Sequence, residues 1–186
     1  MAAPLLFCTA EEARPIVYKI MNVTLQGSDE SLFNLVESRD GPRNDASPFK
    51  RALGENEPFG AGFIGASERD CQAWALDMQS RFNFIEQDLI GILDKRSASD
   101  ETLLIQFYSR APGVEIADEG VFPKETDKWH DFRINYRDAE ALTSSLQFGA
   151  SDVVYPVYFG RKVELTNERG IFDVSRAEKI CIGEEP

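Results

Sequence analysis

Apolar residues recur along positions 67–95 at a helical spacing. Cys71, Trp74, Met78, Phe82, Ile85, Leu89 and Ile92 follow one another at steps of 3, 4, 4, 3, 4 and 3. At 3.6 residues per turn those steps place all seven on one face. Ser67 and Asp70 have the spacing of a capping box, and Lys95 and Arg96 would complement the negative end of a helix. The pattern predicts one long amphipathic helix from Ser67 to about Lys95, roughly 43 Å in length at 1.5 Å per residue. That is longer than a chain of 186 residues needs for its own core. Part of the face is therefore expected to pack against another chain, and an oligomer through this helix is one consequence.

Shorter segments flank it. Residues 15–25 (PIVYKIMNVTL) are rich in β-branched side chains. Thr9 and Glu12 offer a competing capping box, but a helix from residue 10 would hold Pro15 in its interior, where proline breaks the ladder. The reading is a strand over Ile16–Leu25. Ser28, Asp29 and Glu30 ahead of Leu32, Phe33, Leu35 and Val36 predict a short helix, stopped at Asp40-Gly41-Pro42. Residues 41–66 are punctuated by glycine and proline and read as a long loop.

Beyond the long helix the period changes to two. Thr102–Ser109 reads as a strand, and in 131–137 Phe132, Ile134 and Tyr136 alternate with Arg133, Asn135 and Arg137. Residues 138–148 read as a helix closed by Gly149. Val153–Phe159 reads as a strand that Pro156 confines to a sheet edge. Lys162–Thr166 and Ile171–Ser175 read as a hairpin around Asn167–Gly170, and Glu178–Ile182 as a last strand. The expected class is α+β: one long amphipathic helix plus shorter helices packed on a mainly antiparallel sheet formed largely by the C-terminal half, with residues 1–186 as a single domain.

Composition adds the core and the charge. Thirteen Phe, five Tyr and two Trp supply enough apolar area for a core that needs no covalent staples. Cys8, Cys71 and Cys181 are odd in number and far apart, as in a reducing compartment. The N-terminal apolar run is short and lacks a basic start, and no stretch approaches the length of a membrane span. Together these point to a cytoplasmic protein. Asp and Glu number 32 against 20 Lys and Arg, a net charge of −12. Such a surplus opposes nucleic-acid backbones and anionic membrane surfaces and favours a basic protein partner.

Candidate chemistry is sparse. His130 is the one histidine, so zinc sites and two-histidine iron sites lack ligands. Gly60-Ala-Gly62-Phe-Ile-Gly65 has the GxGxxG spacing before a helix, but no apolar strand precedes it, and no second strand follows to present an acid to a ribose. A flexible glycine hinge accounts for it, with a small anion at Ser67 as the alternative. Arg133, Asn135 and Arg137 make a basic strand face that the whole-chain charge opposes as a nucleic-acid site. Glu115, Asp118, Glu119, Glu125, Asp127, Trp129, His130 and Asp131 form an acidic stretch with one imidazole. It is the candidate contact for a basic partner. In a second reading it is the acid–base centre of a small carboxylate enzyme built on Asp127, His130 and Asp131. The sequence assigns no catalytic residue, cofactor or metal ligand. It favours a non-catalytic binding protein, such as an inhibitor, an immunity-type protein or an assembly protein, with a subunit of a larger particle as a further possibility.

Overall fold

The structure is a computed structural model that describes residues 3–22, 31–41, 49–79, 85–110 and 123–184. Its centre is a five-stranded sheet: β1 (Ala3–Cys8), β2 (Asn34–Leu35), β3 (Ile85–Leu93), β4 (Thr102–Ser109) and β5 (Lys128–Asn135), in the order β2-β1-β3-β4-β5. β1 runs parallel to both β2 and β3, whereas β3–β4 and β4–β5 are antiparallel. The class is α+β, with several helices on a mixed sheet whose longer strands mostly follow residue 85. The expectation of a mainly antiparallel sheet missed β1, which sits inside the sheet and brings two parallel pairings with it.

The helices are α1 (Arg14–Met21), α2 (Glu68–Gln79), α3 (Lys95–Asp100), α4 (Ala139–Phe148), α5 (Ser151–Tyr155) and α6 (Val174–Cys181). Alternate strand residues feed two cores. Leu6, Leu89, Leu93, Leu103, Ile105, Phe107, Phe132 and Ile134 pack with α1, α4, α5 and α6. Leu5, Phe7, Ile90, Ile92 and Leu104 face the other way, onto Cys71, Ala75 and Met78 of α2 and the ring of Phe63. Phe7 meets Phe63 edge-on at 4.8 Å and Trp74 at 5.7 Å.

The predicted long helix over 67–95 is replaced by α2 and β3. The Ser67–Asp70 box does form: the Ser67 N–H donates to Asp70 Oδ2 at 2.8 Å and the Asp70 N–H to Ser67 Oγ at 3.2 Å. The stripe misled because Leu89, Ile90, Gly91, Ile92 and Leu93 are a continuous apolar run, and a strand covered on both faces needs one. Gly91 lies where a Cβ would stand 3.1 Å from both Leu6 and Phe33. The premise for an oligomer through a 67–95 helix is gone, since the buried face of α2 lies on the chain's own sheet.

Four further expectations change for local reasons. Ile16–Met21 is helical, because α1 begins only at Arg14 and so puts Pro15 in the first turn, where its missing N–H has no role. Thr9 makes no cap; its hydroxyl donates to the Leu93 carbonyl. In the stretch read as a helix after Glu30, residues 28–30 lie outside the described residues, and Asn34–Leu35 is strand. Val153–Phe159 forms α5 and a π-helical turn, Pro156–Gly160, which bury Val154, Val157 and Tyr158 at helical spacing. The last predicted strand is α6, whose Asp173 cap accepts from the Arg176 N–H at 3.0 Å. The predicted hairpin survives as a turn with one bridge, Thr166 to Phe172, and Phe172 then donates its N–H to Arg133 O on the β5 edge.

Helix α4 ends as predicted at Gly149, and the corner to α5 is tight. A Cβ on Gly149 would lie 2.4 Å from Val154 Cγ2 and 2.5 Å from the Ser145 carbonyl oxygen. Gly149→Ala is expected to destabilise the chain by about 1–3 kcal/mol through overpacking. The measurement is the urea midpoint at unchanged m-value; an unmoved midpoint would mean that the corner is not packed as described.

Candidate functional site

The antiparallel register of β4 and β5 sets Ser109 opposite Lys128 and Phe107 opposite His130. Ser109, Phe107 and His130 therefore project from one face of the sheet. Asp127 closes the pair in the left-handed region, at φ 53°, and its N–H donates to Ser109 O at 2.6 Å. That conformation is one asparagine and aspartate tolerate better than most side chains. The reversal brings the Glu125 carbonyl over the strand ends. Ser109 Oγ donates to it at 2.7 Å, and His130 Nε2 lies 3.1 Å from the same oxygen and 3.1 Å from Ser109 Oγ.

These distances settle the tautomer. A deprotonated Nε2 would set one lone pair against another at the Glu125 carbonyl, so Nε2 carries the proton and donates. It has no lone pair to take a proton from Ser109, whose side chain is buried. The Ser–His contact has the separation of a nucleophile and its base but the wrong polarity for that role. Burial pushes the His130 pKa below its ordinary value; the Glu125 carbonyl opposes this and Lys128 and Lys162 add to it. The imidazole is a neutral tie between strand and turn, backed edge-on by Phe159 at 5.2 Å.

The other predicted residues disperse. Trp129 alternates to the opposite face, where its ring tilts against Tyr108 at 5.1 Å, so Trp129 and His130 do not line a common pocket. Glu125 pairs with Lys128, which holds its carboxyl below the ordinary value. Burial raises Asp131, but Lys162, donating at 3.1 Å, outweighs it and the net shift is downward. Asp127 Oδ1 accepts a long bond from Tyr108 at 3.4 Å. Asp127, His130 and Asp131 thus do not converge on one point. Glu115, Asp118 and Glu119 lie outside the described residues. Among the described residues no three His, Cys, Asp or Glu side chains are placed to hold a metal ion.

The remaining motifs have structural explanations. A Cβ on Gly60 would lie 2.8 Å from the Glu37 carbonyl oxygen, and one on Gly62 would lie 3.1 Å from it. The Gly60 N–H donates to Glu37 Oε1 at 2.8 Å. The glycines are needed for close packing on residues 37–39, which replaces the expected flexible hinge, and Asp70 occupies the Ser67 N–H. Burial raises the Cys71 thiol to about 12 and Cys8 to about 11, so neither is a ready thiolate. Cys181 lies on α6 and is only partly buried, in place of the apolar strand expected for it.

One feature escaped sequence reading. Asp138, before α4, and Glu178, on α6, both have carboxyl pKa values above the ordinary. Burial is the larger cause for each; Asp173 adds for Asp138, against Arg137, and Asp138 adds for Glu178. Asp138 precedes α4 while Asp173 and Glu178 belong to α6 and its cap, so no local spacing announces the group.

His130 generates a test. With its folded pKa below the unfolded value near 6.5, its contribution is complete above 6.5 and is lost as pH falls through the folded pKa. The stability difference between wild type and His130→Gln should shrink over that fall, and ¹⁵N NMR should report the Nε2–H tautomer. A Nδ1–H tautomer, or a midpoint above 6.5, would contradict the arrangement.

No helix of the described residues is long and apolar enough to cross a membrane. No family model, no curated protein and no solved structure matches the chain.

Proposed function

We propose that this protein is a non-catalytic, acidic binding protein, cytoplasmic and folded as one domain, that recognises a basic face on another protein as an inhibitor, immunity-type or assembly protein would. The observation that carries the reading is how the chain uses its cations. Lys50 lies on Glu57 at 2.8 Å, Arg96 on Asp100 at 2.9 Å, Arg161 on Glu164 at 2.7 Å and Lys162 on Asp131 at 3.1 Å. Arg133 is held by Asp94, and Lys128 by Glu125. Exposed pairs of this kind add little to stability, but they engage the positive charge within the molecule. Across the whole sequence the acids still outnumber the bases, for a net charge of −12.

Two positions refine where a partner would gain. Within the described part of the acidic stretch, Glu125 and Asp131 are already matched by lysines and Asp127 accepts from Tyr108. Asp138 instead feels Asp173, and Glu178 feels Asp138, in a partly buried setting, so a basic side chain arriving there would relieve repulsion as well as add attraction. The alternative enzyme reading needs Asp127, His130 and Asp131 to act together, and they do not converge on one point.

The test begins with capture of partners from the native source and their identification by mass spectrometry, followed by association kinetics with the purified partner. The association rate should fall at least about tenfold between about 0.05 and 0.5 M salt, as screening shortens the range of the field. Asp138→Asn combined with Glu178→Gln should slow association further at low salt. A rate indifferent to salt would remove electrostatic recognition from consideration.

A further inference from the structure

The sequence holds one Asp-Gly pair, Asp40-Gly41, and the fold places it in a reverse turn. The Gly41 N–H closes the turn by donating to Ser38 O at 3.4 Å, a long bond beside the usual separation of about 2.9–3.0 Å. Asp40 is exposed. Its N–H donates to Ser38 Oγ at 3.2 Å, while its carboxylate has no hydrogen bond or ion pair among the described residues. Gly41 takes φ 76°, in the left-handed region, and has no side chain to screen its nitrogen from the carboxyl group that precedes it. Both sides of the turn are nevertheless docked. Trp74 Nε1–H of α2 donates to Arg39 O at 2.8 Å, and Arg39 Nε–H donates to Gly62 O at 2.9 Å. A Cβ on Gly41 would lie 3.2 Å from Met78 Sδ.

From this arrangement we propose that Asp40-Gly41 is a modification site: in the folded protein Asp40 isomerises spontaneously to isoaspartate, and the product loosens the turn from α2. The Gly41 nitrogen attacks Asp40 Cγ. The Cγ–N bond forms, one Cγ–O bond breaks, and that oxygen leaves as water with the former N–H proton. A five-membered succinimide results, and water then reopens it. Attack at Cγ restores aspartate. Attack at the former main-chain carbonyl breaks the bond from Asp40 C to Gly41 N and leaves Gly41 joined through Cγ. One water leaves and one returns, so the mass is unchanged and no co-reactant beyond water is needed. Other aspartates are followed by residues that carry side chains, and several have engaged carboxylates: Asp70 accepts from Ser67, Asp94 from Arg133, Asp100 from Thr102 and Asp173 from Arg176. The isomer adds one carbon to the main chain of a turn fixed on both sides. Met78 is buried, whereas the bond from Trp74 to Arg39 O is open to water, so that bond is the contact that yields. The product keeps one carboxylate at the position, so the net charge and the binding reading are untouched.

The experiment incubates the intact chain for weeks at neutral pH and body temperature. Peptide mapping with a fragmentation method that separates isoaspartate from aspartate follows the covalent change, and ¹H–¹⁵N NMR follows the two indole N–H signals. Isoaspartate is expected at Asp40 in excess over every other aspartate, with a transient form of the same peptide lighter by one water. The original Trp74 indole signal should be lost in proportion to the isoaspartate formed, while that of Trp129 stays. Asp40→Glu keeps the charge at an exposed position and permits only the slower closure of a six-membered ring; it should retain the Trp74 signal throughout. The proposal is overturned if isoaspartate is absent from Asp40 in the folded chain, even where it forms after unfolding in urea. It is equally overturned if another aspartate outpaces Asp40, if Asp40→Glu loses the Trp74 signal as fast as wild type, or if isoaspartate accumulates with the Trp74 signal unmoved.

Discussion

Burial of the central strands on both faces is the constraint from which the rest of the architecture follows. β1 and β3 are apolar at every consecutive position from Leu5 to Cys8 and from Leu89 to Leu93, so neither can sit at an edge or show a face to water. Their parallel pairing places them side by side, and a parallel pair requires a crossover. α1 and α2 lie in that connection and go to opposite faces, each supplying the cover one face lacks. The later helices α4 to α6 then have one uncovered surface left to occupy, the α1 side of β4 and β5.

The far end of the sheet follows a different rule. On the α2 side, β4 and β5 carry Gln106, Asp131, Arg133 and Asn135, and this polar surface is satisfied internally. Gln106 accepts from Gln72 at 3.0 Å and donates to Glu68 at 2.8 Å. Arg133 reaches Asp94 and lies 3.4 Å from Thr102 Oγ1, while Asp94 also caps α3. Burial alone would raise the Asp94 carboxyl; Arg133 and the Ser97 N–H outweigh that and hold it below its ordinary value. One carboxylate thus joins β5 to the α3 connection, and removing either partner would leave the other partly buried without its counter-charge.

What was legible in the sequence is what alternates or carries local punctuation. Phe132 and Ile134 against Arg133 and Asn135 identified β5, and Gly149 marked the end of α4, because period two and a helix stop are local signals. β3 was misread since Ile85, Leu89 and Ile92 satisfy a helical period while Leu89–Leu93 satisfy a buried strand, and only the neighbours β1 and β4 choose between them. α1 depended on a shift of a few residues in its start, which moved Pro15 from interior to first turn. At the acidic stretch, the sequence named His130 but could not see the Glu125 carbonyl, a main-chain group placed by the reversal at Asp127. Asp138 and Glu178 are far apart in the chain, and Glu178 feels Asp138 only because α6 folds back toward the start of α4.

The acidic composition and the quiet internal chemistry have a common origin. Where a described carboxylate is partly buried and a cation is within reach, as at Asp94, Asp100 and Asp131, its pKa is lowered despite burial. Where no ion pair among the described residues offsets burial, as at Glu178, it is raised. At those three acids a cation offsets desolvation, while other cations, such as Lys50 on Glu57 and Arg161 on Glu164, sit on exposed carboxylates, and the net charge stays at −12. A surface field built from such a surplus needs no arranged site and acts at the range of the Debye length. Charge can then vary at many positions without disturbing the two cores. Leu5, Phe7 and Ile90 on one face of the sheet, and Ile105 and Phe132 on the other, hold it by apolar contact alone.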